Sequence, residues 1–124
     1  MVIADASVLI AWLAGEGGRE VETLAHLMGR DQVQLAPVTV TELLSHTREE
    51  PLLNEVVSKL GVLELAPDYW ERAGRMRARV RRTGRKAALG DALVAQACID
   101  ADLALLARDR DFLAFAEHAG LRLA

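Results

Sequence analysis

The chain has 124 residues, 52% of them hydrophobic and 27% charged, which is too apolar for a disordered tail; at 13.5 kDa folding buries about two-thirds of the surface, enough for one core and not two. Only five residues are aromatic (Trp12, Tyr69, Trp70, Phe112 and Phe115), so the core must be built from Ala, Leu and Val, and a ring-rich face for stacking on sugars or bases is excluded. The formal charge of −3 excludes a global attraction for nucleic acid, leaving local charge as the means of binding it.

Taken in chain order, residues 2–4 (Val-Ile-Ala) form a short β-prone run ending at Asp5, and Ser7 then caps a helix carrying Val8, Leu9, Ala11, Trp12 and Leu13, which the Gly15–Gly18 stretch ends. Residues 19–29 have helical apolar spacing at Val21, Leu24, Ala25, Leu27 and Met28. Gln34–Ala36 is a second strand before Pro37, and Thr39 or Thr41 caps a helix to about Thr47 with Glu42 in its first turn. Pro51–Leu60 is a helix with Leu53, Val56, Val57 and Leu60 inward, and Val62–Leu65 is a third strand. Pro67–Arg82 is a helix whose inward positions are Trp70, Ala73, Met76 and Val80. Ala88–Ala101 is a helix with Asp91 near its start, Ala104–Leu106 a fourth strand, Asp109–Ala119 a helix and Leu121–Leu123 a fifth strand.

Short apolar strands alternating with helices, without a two-residue hairpin signal, imply a parallel sheet of four to five strands covered on both faces, an α/β/α sandwich. No linker, repeat or low-complexity segment divides the chain, so one domain over 1–124 is expected. The lone Cys98 can form no internal disulfide and has no zinc-site partner, pointing to a reducing compartment and a small buried hydrophobe. No apolar run reaches the roughly 20 residues of a membrane span, and the apolar start lacks a basic leader and carries Asp5. A cytoplasmic protein that does not engage a membrane is expected.

In a doubly wound sheet, the carboxyl ends of the strands converge on one rim. Asp5 follows the first strand, Glu42 opens the helix after the second, Asp91 opens a later helix and Asp109 follows the fourth strand. Two carboxylates ~5 Å apart at an effective dielectric of ~20 repel by about 3 kcal/mol, so four in one pocket call for a divalent cation or for protonation of some of them. An all-oxygen set without usable Cys or His favours Mg2+ or Mn2+ over zinc; His26, His46 and His118 show no paired ligand spacing. Helix capping accounts for Asp91 or Asp109 singly, but not for all four on one rim.

The segments Val-Ile-Ala-Asp5-Ala-Ser7-Val-Leu, Thr41-Glu42-Leu-Leu, Gly90-Asp91-Ala-Leu-Val-Ala95 and Ala107-Arg108-Asp109-Arg110-Asp111-Phe112 together resemble the PIN domain, specifically the VapC-type toxins of bacterial and archaeal toxin–antitoxin pairs. The likeness runs over essentially the whole chain, in order. It implies an α/β/α sandwich, Mg2+-dependent (or Mn2+-dependent) endonucleolytic cleavage of RNA leaving a 5′-phosphate and a 3′-hydroxyl, a cognate antitoxin protein as partner and a homodimer. By position Asp5, Glu42, Asp91 and Asp109 fall on the family's acidic quartet, Asp111 on an additional acidic position, and Ser7 on the small hydroxyl residue that helps hold the first Asp. Where the family usually has Thr or Ser, this chain has Ala107.

Phosphodiester hydrolysis needs an activated water, neutralised phosphate charge and a stabilised leaving oxygen, which a carboxylate-held cation can provide. Asp5, Asp91 and Asp109 are the expected ligands, with Glu42 as ligand or water-positioning base. An acidic pocket repels RNA, and residues 72–86 hold eight of the fifteen cations. Arg75, Arg79, Arg82 and Lys86 fall at steps of three and four, forming one helical stripe for phosphate contact, and Arg108 and Arg110 flank Asp109. Trp12 and Leu13 are candidate surface for the antitoxin's amphipathic segment. Two alternatives compete: a catalytically silent PIN-like domain that binds RNA or protein, favoured by Ala107 alone, and a phospho-accepting receiver domain. The latter needs paired acids after the first strand and a Lys after the last, whereas Asp5 stands alone and no Lys follows Lys86.

Overall fold

The structure is a computed structural model that describes residues 1–46 and 51–124. β1 (Val2–Ala4), β2 (Val33–Leu35), β3 (Gly61–Val62) and β4 (Ala104–Leu106) form one parallel sheet in the order β3-β2-β1-β4. The period-two alternation of strand side chains sorts the core. Ile3, Ala36 and Leu105 join one apolar cluster, while their neighbours Ala4, Leu35 and Leu106 join another. The first cluster is completed by α5 (Tyr69–Arg82), α6 (Leu89–Ala101) and α7 (Leu113–His118), and the second mainly by α1 (Ala6–Leu13), α2 (Arg19–Met28) and α4 (Pro51–Lys59). α3 (Pro37–Leu44) gives Val38 to the first and Leu43 to the second. The result is the three-layer α/β/α sandwich with a parallel sheet, and Cys98 is buried in the first cluster.

Several element boundaries differ from the sequence reading for local reasons. Asp5, not Ser7, caps α1: its side chain accepts from the Ser7 backbone N–H, and its own N–H is tied to the Leu106 carbonyl of β4 at 2.9 Å. α3 begins at Pro37, whose fixed φ suits the first helical position, with Ala36 before it and no side-chain cap from Thr39 or Thr41. Glu42 is therefore in the second turn of α3, and Thr47, the expected helix end, lies outside the described residues. That early turn into α3 also shortens β3. Leu63 still donates to the Leu35 carbonyl at 2.9 Å, but beyond Leu35 the partner strand has ended, and the expected extension to Leu65 has no rung to pair with.

In α5 the inward set is Tyr69, Ala73, Met76 and Val80. Trp70 was expected among them but is 62% exposed, whereas Tyr69 is 3% exposed, because Asp68 enters the helix with φ of 59° and Tyr69 stands a full turn before Ala73. The Tyr69 hydroxyl donates to the Leu93 carbonyl of α6 at 2.5 Å, which satisfies the ring's polar end inside the layer. The expected helix over 109–119 divides into a 3-10 turn, Arg110–Phe112, capped by Asp109, followed by α7. The expected fifth strand is reduced to a parallel bridge between Leu123 and Leu105.

The orientation of α5 has a direct consequence for stability. Tyr69→Ala opens a cavity and strands the Leu93 contact, costing about 3–5 kcal/mol, while Trp70→Ala changes stability by less than about 1 kcal/mol. Urea denaturation of the two variants measures this, and the reverse ranking would contradict the placement of the helix.

Candidate metal centre

With the strand order β3-β2-β1-β4, the chain leaves β1 toward one side and later crosses to β4 on the other. The loops after β1 and β4 diverge there, which opens a crevice at the carboxyl ends of the two strands. Asp5 follows β1 directly and Asp109 follows β4 by way of Ala107 and Arg108. Asp91 reaches the same crevice from the first turn of α6. Glu42 reaches it from α3: a Cβ on Gly90, the residue before Asp91, would lie 3.6 Å from Glu42 Oε2.

Asp91, Asp109 and Asp111 each present a carboxylate oxygen, all within 4.8 Å of one another. That spacing suits oxygens gathered round one hard cation with metal–oxygen bonds of about 2.0–2.6 Å, and the purely carboxylate donor set fits Mg2+ or Mn2+. Asp111 belongs to this tight set because Asp109 Oδ1 accepts from the Asp111 backbone N–H at 2.9 Å, folding the two side by side. Asp5 lies outside the set of three but senses its charge.

Burial pushes the Asp5 carboxyl above the ordinary aspartate value, and the charge of Asp109 adds to the shift while hydrogen bonds from Ser7 and Ala6 oppose it. Asp91 is pushed up to about 6, first by burial and then by the charges of Asp109, Asp5, Asp111 and Glu42. Glu42 is raised by desolvation and by Asp5. Asp5 is only 6% exposed, and it is held from one side: Oδ2 accepts both the Ser7 N–H at 3.0 Å and the Ser7 hydroxyl at 2.5 Å. The same hydroxyl accepts the Arg108 backbone N–H at 3.2 Å. Ser7 thereby links the loops after β1 and β4, and Ala107 has no hydroxyl to add beside it.

The basic run sorts into two kinds. Arg72 forks onto Asp100 at 2.5 and 2.7 Å, Arg77 donates to the Ala87 carbonyl, Arg85 pairs with Glu117 and Lys86 pairs with Asp111 at 3.0 Å. Arg75, Arg79 and Arg82 are exposed and have no ion-pair partner among the described residues. Lys86 does not continue their stripe, because α5 ends at Arg82 and Gly84 reverses the chain at φ of 85°. Sequence spacing alone missed this, although Gly84 was the available signal. Beside Asp109, a cleft of about 310 Å3 is lined by Arg19, Arg108, Arg110, Leu113 and Leu123; Arg108 also faces Glu16 at 3.5 Å. On the α1–α2–α4 side, Trp12, Met28, Leu52, Val56 and Leu60 line an apolar groove of about 390 Å3; Leu13 is packed against the cluster beneath it. His26, His46 and His118 are all exposed.

The fold resembles a chain of the VapBC2 structure from Rickettsia felis bound to a DNA fragment from its promoter, with a TM-score of 0.77 at 14% identity over 100% of this chain and 98% of that one. A chain of VapBC-1 from nontypeable Haemophilus influenzae gives a TM-score of 0.74 at 14% identity, over 100% and 97% of the two chains. A chain of VapBC-5 from Mycobacterium tuberculosis gives 0.70 at 22% identity, over 98% and 95%. Comparison with curated proteins finds no match. The PIN domain family matches residues 2–118, and the chain therefore belongs to the PIN domain family.

Proposed function

We propose that this chain is a Mg2+- or Mn2+-dependent endoribonuclease acting as the toxin of a toxin–antitoxin pair, in one domain, in the cytoplasm and as a homodimer. The observation that carries the reading is the convergence of five carboxylates, from β1, α3, α6 and the loop after β4, on one crevice. Membership of the PIN family and the likeness to chains of VapBC structures support it.

In this reading Asp5, Asp91 and Asp109 hold the cation, with Glu42 and Asp111 beside them. When bound, the cation supplies charge neutralisation at the phosphate and lowers the pKa of water. The chain's own residues do the rest. Ser7 fixes the Asp5 carboxylate through two hydrogen bonds and keeps the loop of Arg108 in register with it. Glu42, whose carboxyl is raised by its desolvated setting, is suited to take the proton of the attacking water as general base. Arg108 and Arg110, at the cleft beside Asp109, receive the phosphates flanking the scissile bond. Arg75, Arg79 and Arg82 follow the RNA backbone further out. The antitoxin seats an apolar segment in the groove beside Trp12, whose mixed rim of Asp31, Glu55 and Lys59 suits a polar-edged helix or strand.

Incubating purified protein with total cellular RNA in Mg2+ or Mn2+, and sequencing the new 5′ ends, tests the reading. Cleavage that stops with EDTA and falls about 100-fold or more in Asp5→Asn is expected, with the metal-free fold of that variant intact or slightly more stable. Metal-independent cutting, or full activity in Asp5→Asn, would contradict it. Replacing Arg75, Arg79 and Arg82 together by Ala should weaken RNA binding and reduce the slope of log K against log salt by about 2. An unchanged slope would mark those arginines as a merely solvated face.

A further inference from the structure

The segment between α5 and α6 is clamped on both sides of Lys86. Gly84 turns the chain back with φ of 85°, Arg85 pairs with Glu117 of α7, and the Ala87 carbonyl accepts Arg77 Nε at 2.8 Å. Ala87 itself is buried. Between these two anchors Lys86 Nζ donates to Asp111 Oδ2 at 3.0 Å. Asp111 is one of the three carboxylates that gather within 4.8 Å of one another, so the ammonium stands at the edge of that group, and its raised pKa, caused first by this hydrogen bond and then by the charge of Asp111, agrees with the contact. The arginines with charged partners in the neighbouring run pair elsewhere: Arg72 with Asp100 and Arg85 with Glu117.

From this placement we infer that Lys86 is a resident counter-cation of the acidic centre, neutralising Asp111 so that the centre takes up a single divalent ion. The inference rests on the proposed reading of the crevice as a cation site. Two-metal phosphodiester sites hold divalent ions about 3.5–4 Å apart; here the Lys86 ammonium brings a monovalent charge to Asp111, the carboxylate that a second ion would need. A single positive charge on a flexible stem meets that need at one carboxylate and leaves Asp91 and Asp109 to the ion.

Mn2+ titration of the full chain near pH 7, followed by calorimetry and by the electron paramagnetic resonance signal of free Mn2+, tests the inference. The native chain and Lys86→Arg should bind about one ion each, and Lys86→Gln about two, with the first ion held about fivefold more tightly once the repelling charge is gone. Lys86 is on the surface, so circular dichroism should show the same fold in all three. Equal stoichiometry in the native chain and Lys86→Gln would overturn the role of Lys86 while leaving the cation site standing. Absence of Mn2+ binding by every form would overturn the cation site and the inference with it.

Discussion

Mutual repulsion among carboxylates at the ends of β1 and β4 is the constraint that the rest of this fold accommodates. An aspartate or glutamate pair ~5 Å apart costs about 3 kcal/mol at an effective dielectric of ~20, and here Asp5, Glu42, Asp91, Asp109 and Asp111 share one crevice. Nothing in the packing of a small α/β domain requires this. The charges are brought together by secondary structure that has its own stability. Asp5 and Asp109 cap the elements that follow them, Asp91 stands in the first turn of α6 where the helix dipole favours an anion, and Glu42 is carried on a helix anchored by the buried Leu43. Each carboxylate has a local reason for its place, and the electrostatic cost appears only when all are ionised together.

Ser7 converts that arrangement into a defined geometry. Its hydroxyl donates to Asp5 and accepts from the Arg108 backbone, so the loops after two neighbouring strands are tied together. Lys86 on Asp111 plays the complementary part by bringing a positive charge to the outer edge of the crevice. The crevice thus has an inner wall hydrogen-bonded across β1, β4 and Ser7, and an outer edge where Lys86 offsets part of the negative charge. Beyond it Arg75, Arg79 and Arg82, without an ion-pair partner among the described residues, offer the local positive potential that a chain of net charge −3 needs to approach a polyanion.

Much of this was legible in the sequence because it depends on short-range patterns. The apolar runs around Ile3, Leu35 and Leu105 announce buried parallel strands, and Asp5 and Asp109 just after the first and fourth strands, with Glu42 and Asp91 on helices, announce the rim. Whether Tyr69 or Trp70 faces inward was not legible: both are apolar rings at the start of the same helix, and the choice is made by the left-handed Asp68 and the Leu93 carbonyl. The fate of Lys86 was misread for a similar reason. Helical spacing was continued through Gly84, where the chain reverses, and the partner Asp111 is 25 residues away in sequence. Ser7 was assigned to holding Asp5 by resemblance, but its bond to Arg108 spans 101 residues and no local pattern encodes it.

The central claim, that these carboxylates are held together for a cation, is tested most directly by thermal unfolding against pH, with and without Mn2+, in the native chain and in Asp91→Asn. The Asp91 carboxyl is raised from 3.8 to about 6, so the folded state binds the extra proton between those values. Its contribution to stability is full below the lower pH and is lost as pH rises through the upper. Asp100, lowered by its bond to Arg72, works in the opposite direction below this window and does not mask it. The metal-free native chain should therefore lose stability from about pH 4 to pH 7 more steeply than Asp91→Asn, and Mn2+ should restore it at pH 7 but not at pH 4. Equal pH dependence in both chains, with no stabilisation by Mn2+ at pH 7, would contradict it.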